Sequence, residues 1–81
     1  MKILEFERWG VLWHSENKLD GVTKHLVYDN FMPALFFTRE EARKYKKEKY
    51  GYITKRKDLR IEPHGWRSPK VVKVKIFGEL I

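Results

Sequence analysis

The chain has 81 residues, of which 42% are hydrophobic and 15% aromatic, with no cysteine and a net charge of +7. A length near the lower limit for independent folding holds a single domain, residues 1–81, burying about 60 to 65% of the surface of the unfolded chain. The aromatic content argues against disorder, and the lack of cysteine excludes a disulfide framework and any thiolate chemistry, which fits a reducing compartment.

In chain order, Met1-Lys2-Ile3-Leu4-Glu5 carries an acid where a secretory signal has its apolar stretch, so the expected compartment is the cytoplasm. Arg8 to His14 alternates, with Trp9, Val11 and Trp13 on one side and Leu12 and His14 on the other, which predicts a strand. The polar stretch from Ser15 ends in Asp20-Gly21, a pair suited to a turn with positive φ, and a second strand is expected over about Val22 to Asp29. Asn30 to Pro33 reads as a connection because Pro33 lacks a backbone donor, and Ala34 to Phe37 as a short buried strand. Phe31 to Phe37 is the longest nearly unbroken apolar run, far short of the roughly 20 residues a bilayer crossing needs, so no membrane association is expected.

Thr38-Arg39-Glu40-Glu41 has the pattern of a capping box, in which the Thr38 hydroxyl accepts from the Glu41 amide and the Glu41 carboxylate reaches back to the Thr38 amide. It predicts a helix over 39–50 that stops at Gly51, with a staple between Phe37 and Ala42. Ala42, Tyr45 and the stem of Lys49 fall on its inner face, Lys46 at the edge, and Arg43, Lys44 and Lys47 elsewhere. Tyr52-Ile53 is expected to pack back, and Thr54 to Arg60 to be a charged connection. Glu62-Pro63-His64-Gly65 has turn chemistry. Lys70 to Phe77 sets Val72, Val74 and Ile76 against Val71, Lys73, Lys75 and Phe77, a half-exposed strand. The β-β-β-α-β order predicts an α+β fold, a small antiparallel or mixed sheet of three to four strands covered by one helix.

Charge is unevenly spread. Residues 1–37 sum to −1 and residues 38–81 to +8. Within the second part, Arg43, Lys44, Lys47, Lys55, Arg56, Lys57 and Arg60 make a cationic helix and loop suited to a phosphate backbone, because neutralised phosphates release counterions. The alternative is that these residues serve solubility alone, as lysine-rich helix faces commonly do. His64, Trp66 and Arg67 form a second candidate, an anchor for a partner in which Trp66 stacks and Arg67 reaches an anion; the alternative is that Trp66 plugs the end of the core.

Catalytic chemistry has little support. Ser15, Ser68, His14, His25 and His64 lack the spacing of a nucleophile elbow or phosphate loop, and the three histidines lack that of metal ligands. Asp58, Glu62 and His64 are one imaginable metal set, better read as charge balance. No enzyme, metal or cofactor is expected.

Two family resemblances follow from longer stretches. Phe37-Thr38-Arg39-Glu40-Glu41-Ala42 resembles the strand-to-helix junction of the arm-type DNA-binding domains of phage integrases, where a three-stranded sheet and one helix sit on DNA. The stretch from Pro33 to Arg43, with Tyr50-Gly51-Tyr52-Ile53, Lys57 to Arg67 and Pro69-Lys70-Val71-Val72, is similar to small, functionally uncharacterised proteins of tailed bacteriophages and prophages. That likeness covers roughly half of the chain, departs at the N-terminal hairpin, and implies a phage origin, a bacterial cytoplasm and a part in host takeover or counter-defence.

Two functions are therefore expected from the sequence. One is an accessory protein binding DNA or RNA through the cationic surface. The other is a phage-encoded inhibitor that docks on a host bacterial protein, such as a defence nuclease or the transcription machinery, through a sheet edge or an aromatic patch.

Overall fold

A computed structural model describes residues 2–80, with side chains from 4 to 79. The fold is α+β. Strand β1 (Lys2–Asn17) is the axis of the molecule, and every other strand of the main sheet pairs with it antiparallel. One edge carries β2 (Gly21–Leu26) beside residues 12–17 and β5 (Leu35–Phe36) beside Trp9 and Gly10. The other edge carries β6 (Trp66–Leu80) along nearly its whole length, from Lys2↔Leu80 to Ser15↔Trp66, with a register shift between Leu12 and His14.

Between β2 and β5 the chain leaves the sheet. Val27 is buried, donates its amide to the Val11 carbonyl at 2.8 Å and accepts the Ala34 amide at 2.9 Å, so it roots a small hairpin of β3 (Tyr28–Asp29) and β4 (Met32–Pro33). The turn sets Asn30 at φ 50° and Phe31 at φ 65°. The connection expected at 30–33 is thus a paired hairpin that projects from the sheet.

Helix α1 (Arg39–Tyr50) occupies the predicted span. Thr38 Oγ1 accepts the Glu41 amide at 3.2 Å, and its hydroxyl donates to the Glu41 carboxylate at 3.0 Å, so the carboxylate meets the hydroxyl and not the Thr38 amide. The staple does not form: Phe37 is 73% exposed, and the Arg8 guanidinium lies 4.3 Å above its ring. Ala42 is fully buried and Tyr45, Lys46 and Tyr50 half-buried, whereas Lys49 is exposed; the inner stripe drifts to Tyr50, which meets Trp13 at 5.8 Å. A 3-10 turn (Gly51–Thr54) then buries Ile53 completely. Where a charged connection was expected, a one-turn helix α2 (Lys57–Arg60) buries Leu59.

Cross-strand register separates the two sheet faces, because residues directly opposite share a face. Trp9, Val11 and Trp13 face α1 together with Phe36, whose ring lies 5.1 Å from Tyr45. The core sits there, around Val11 and Ile53. Val72, Val74 and Ile76 share the opposite face with Phe6 and Gly10. A side chain on Gly10 would press within 3.1 Å of Leu26 and Val74 and 3.6 Å of Leu35, so its absence lets those three close over the strand. Beyond the helix, residues 2–8 and 74–80 continue as a two-stranded arm, with Glu5–Lys75 and Glu7–Lys73 ion pairs at 2.9 and 3.0 Å.

Candidate functional site

The expected cationic surface is divided by the fold. On α1, Arg43 and Lys47 are four residues apart and lie on one exposed flank. Past Gly51 the 3-10 turn reverses the chain. The amides of Lys55 and Arg56 both donate to the Tyr52 carbonyl at 3.1 Å, and the Thr54 hydroxyl donates to the Gly51 carbonyl at 3.0 Å. Ile53 pins this turn to the core, which brings Lys55 back beside Lys47. The two lysines share an open cavity of about 400 Å³ with Gly51, Tyr52 and Thr54. Tyr52 is 43% exposed. Two ammonium groups, a hydroxyl and a phenol ring around one concavity suit a phosphate with a base or sugar attached.

The other candidates are placed differently. Lys44 lines a separate cavity of about 330 Å³ with Phe36, Tyr45 and two acids, Glu41 and Glu48, so its charge is offset by carboxylates. Arg56 forks onto Asp58 at 2.7 and 3.3 Å. That hydrogen bond and charge raise the Arg56 guanidinium further above its usual range and hold the Asp58 carboxyl below its own. Lys57 and Arg60 are exposed on α2, three residues apart, with the Arg60 carbonyl accepting Arg67 Nη1 at 2.9 Å. The structure therefore joins Lys47 with Lys55, leaves Arg43 on the same helix flank as Lys47, and sets Lys44 and Arg56 among acids.

The second candidate group belongs to an aromatic stack at the helix C-terminal end of the sheet. Trp66 is half-buried, 5.4 Å from Trp13 in an edge-on contact and 5.3 Å from His64. Trp13 in turn meets Tyr50 and His25. His64 and Arg67 remain exposed, Arg67 being anchored by its bond to the Arg60 carbonyl. Burial chiefly holds the Tyr45 and Tyr50 phenols above their ordinary value of 10.0, and the Asp29 carboxylate adds to the effect in both.

Among the described residues no group of three His, Asp or Glu is placed to hold a metal ion. The imagined metal set is dispersed: Glu62 accepts the Lys18 amide at 3.0 Å and Asp58 is held by Arg56. Also among the described residues, no helix is long and apolar enough to cross a membrane.

The sequence reading passed over three features. Tyr52 and Thr54 complete the Lys47–Lys55 cavity, and Tyr50-Gly51-Tyr52 directly after a helix stop is the signal for it. The hairpin tip exposes Tyr28, Phe31 and Met32, with Phe31 wholly in solvent. The third is the uncovered apolar face of the sheet. Compared with protein families, curated proteins and solved structures, the chain matches none, so the site is read from its own geometry.

Proposed function

We propose that this protein is a small binding protein for nucleic acid, engaging it through the cavity between α1 and the following turn. The observation that carries this is the convergence of Lys47, Lys55, Tyr52 and Thr54 on one concavity, flanked by Arg43. In this reading Lys47 and Lys55 hold successive phosphates and Tyr52 stacks on a base, while Thr54, whose hydroxyl donates to the Gly51 carbonyl, holds the turn that brings Lys55 to Lys47. Single strands fit best, since an exposed aromatic needs an unstacked base. Lys57 and Arg60 extend the track, and Arg56 contributes less because Asp58 already holds it. The reading includes no catalysis and places the protein's work in the cytoplasm of a bacterium, as the phage likeness implies.

Fluorescence anisotropy with generic single-stranded and duplex oligonucleotides, at several salt concentrations, tests it. Two to three contacts give a log-log salt slope of about −1.4 to −2.1 on single strands, at about −0.7 per phosphate. Lys47→Ala with Lys55→Ala should flatten it by about 1.4 for all sequences alike, because phosphate contacts carry no base information. Absence of binding tighter than about 100 micromolar at low salt removes the reading.

One observation favours a second reading, in which the protein inhibits a host protein by docking on it. The β3–β4 hairpin holds Phe31 in full solvent at positive φ, a conformation that costs a bulky residue of order 1–3 kcal/mol. There are 18 Lys and Arg in the chain, yet none from 25 to 38. An apolar tip without cations suits a hydrophobic pocket on a protein and not a phosphate backbone. Phe31→Ser leaves oligonucleotide binding unchanged in either case and abolishes inhibition only in the second.

A further inference from the structure

Thr54 hydrogen-bonds in a way that distinguishes two sugars. Its Oγ1 lies 3.0 Å from the Gly51 carbonyl, and a carbonyl only accepts, so the shared proton is that of Thr54. Gly51 and Thr54 both line the cavity with Lys47, Tyr52 and Lys55, which makes this bond part of its wall. A hydroxyl carries one proton and two acceptor lone pairs. With the proton committed, the Thr54 oxygen can only accept, and no donor among the described residues reaches it. The other side chains of the wall behave differently. Lys47 and Lys55 only donate, and the Tyr52 phenol does either. Three carbonyls of the wall are already engaged: Lys47 accepts the Gly51 amide, Gly51 the Thr54 hydroxyl, and Tyr52 the amides of Lys55 and Arg56.

We infer that the cavity takes ribonucleotides in preference to deoxyribonucleotides, with the Thr54 hydroxyl oxygen accepting the ribose 2′-OH. This rests on the nucleic-acid reading above and narrows its substrate to single-stranded RNA. A phosphate oxygen has no proton to give to Thr54, and within a strand deoxyribose has none either. The ribose 2′-OH donates as well as accepts, and it is the group by which a protein tells RNA from DNA.

The order of groups along the 3-10 turn matches that in a nucleotide. Tyr52 supplies a ring for the base and Lys55 an ammonium for the phosphate. Thr54 stands between them in the chain, as the sugar stands between base and phosphate. Ile53 is completely buried and fixes the turn to the core, so the exposed Tyr52, Thr54 and Lys55 hold their spacing. Lys47 and Lys55 attract the phosphates of both sugars alike, so they set the affinity and Thr54 sets the ratio. One neutral hydrogen bond changes affinity by about 2- to 10-fold.

Anisotropy titrations of the full chain at one salt concentration, with labelled oligouridine and oligodeoxyuridine of about ten nucleotides, read that ratio while the bases stay identical. RNA should bind about 2 to 10 times tighter. A strand with 2′-fluoro sugars keeps an RNA-like ring shape without a hydroxyl proton and should fall to the affinity of DNA. Thr54→Val removes the oxygen at nearly constant size and should abolish the preference, whereas Thr54→Ser should keep it. If Thr54 only holds the turn, its loss weakens RNA and DNA together and leaves their ratio unchanged. Should Thr54→Val fail to fold, the 2′-fluoro strand on the unaltered chain decides. Equal affinities for RNA and DNA, or an RNA preference that survives either the 2′-fluoro sugar or Thr54→Val, overturn this inference and leave the nucleic-acid reading standing. Failure of both strands to bind removes that reading, and this inference with it.

Discussion

The side-chain amide of Asn17 donates to the carbonyl of His64 at 2.9 Å, across 47 residues of sequence. Its carbonyl oxygen accepts the Asp20 amide at 2.6 Å, so one buried side chain closes the β1–β2 turn and holds the loop that delivers Trp66 to the sheet. Asn17→Ala leaves both backbone groups without a partner. A loss of about 1–3 kcal/mol is expected in urea denaturation. Unchanged stability would show that water replaces the amide.

Gly65 sits at φ 62°, its carbonyl accepts the Glu16 amide at 2.8 Å, and a Cβ there would collide with the Glu16 carbonyl. Gly65→Ala combines a left-handed backbone with a clash against backbone that cannot rotate away. Destabilisation of about 3 kcal/mol or more is expected, against about 1–2 kcal/mol for Gly21→Ala, which has the same sign of φ but open space around it. Comparing the two melting temperatures separates conformational strain from steric exclusion.

Thr38→Ala removes the acceptor of the Glu41 amide at the start of α1 and should cost about 1 kcal/mol. Thr38→Ser keeps the oxygen and should recover most of it. Equal melting temperatures for the alanine and serine variants would mean that the hydroxyl contributes nothing.

Tyr45 and Tyr50 are held neutral above 10.0, first by burial. The unfolded chain ionises sooner, so their contribution to stability is intact below that value and is lost as pH rises through the folded-state values. Melting temperature should fall above about pH 10, and less steeply in the Tyr45→Phe, Tyr50→Phe double variant. Asp29→Asn should bring both phenols down slightly, since its carboxylate is a lesser cause than burial.

What was legible in the sequence is what depends on short-range pattern. The capping box fixed α1, Asp20-Gly21 fixed the first turn, and the alternation through Trp9, Val11 and Trp13 separated the faces of β1 correctly. Leu4 and Phe6 alternating with Glu5 and Glu7 carry the signal for the arm, but mixed charge and short length give it meaning only once β6 lies alongside. The alternation along β6 misleads about its inner face: the wholly apolar row of Val72, Val74 and Ile76 lies away from the helix, and Val71, whose row includes Lys73 and Lys75, lies on the helix side; register against β1 decides it. The hairpin tip was hidden for a different reason. Asn30 tolerates positive φ and marks a connection, but Phe31 occupies the second positive-φ position, where glycine is the usual marker, so the residue types do not announce a tight hairpin. For the cationic surface, residue type identified the candidates, and only the reversal at Gly51 paired Lys47 with Lys55.

The placement of β1 at the axis sets an order of events during synthesis. Residues 2–15 leave the ribosome well before the strand that completes their ladder, Trp66–Leu80, which lies some 50 residues later. At about 5–20 residues per second, β1 waits several seconds with one side unpaired and apolar side chains on both of its faces. The β1–β2 hairpin and α1 can form in that interval, since their contacts are local, but closure of the sheet is the last step and a slow one. The nascent chain is therefore most open to chaperones, and to pairing with a neighbouring nascent chain, before β6 emerges.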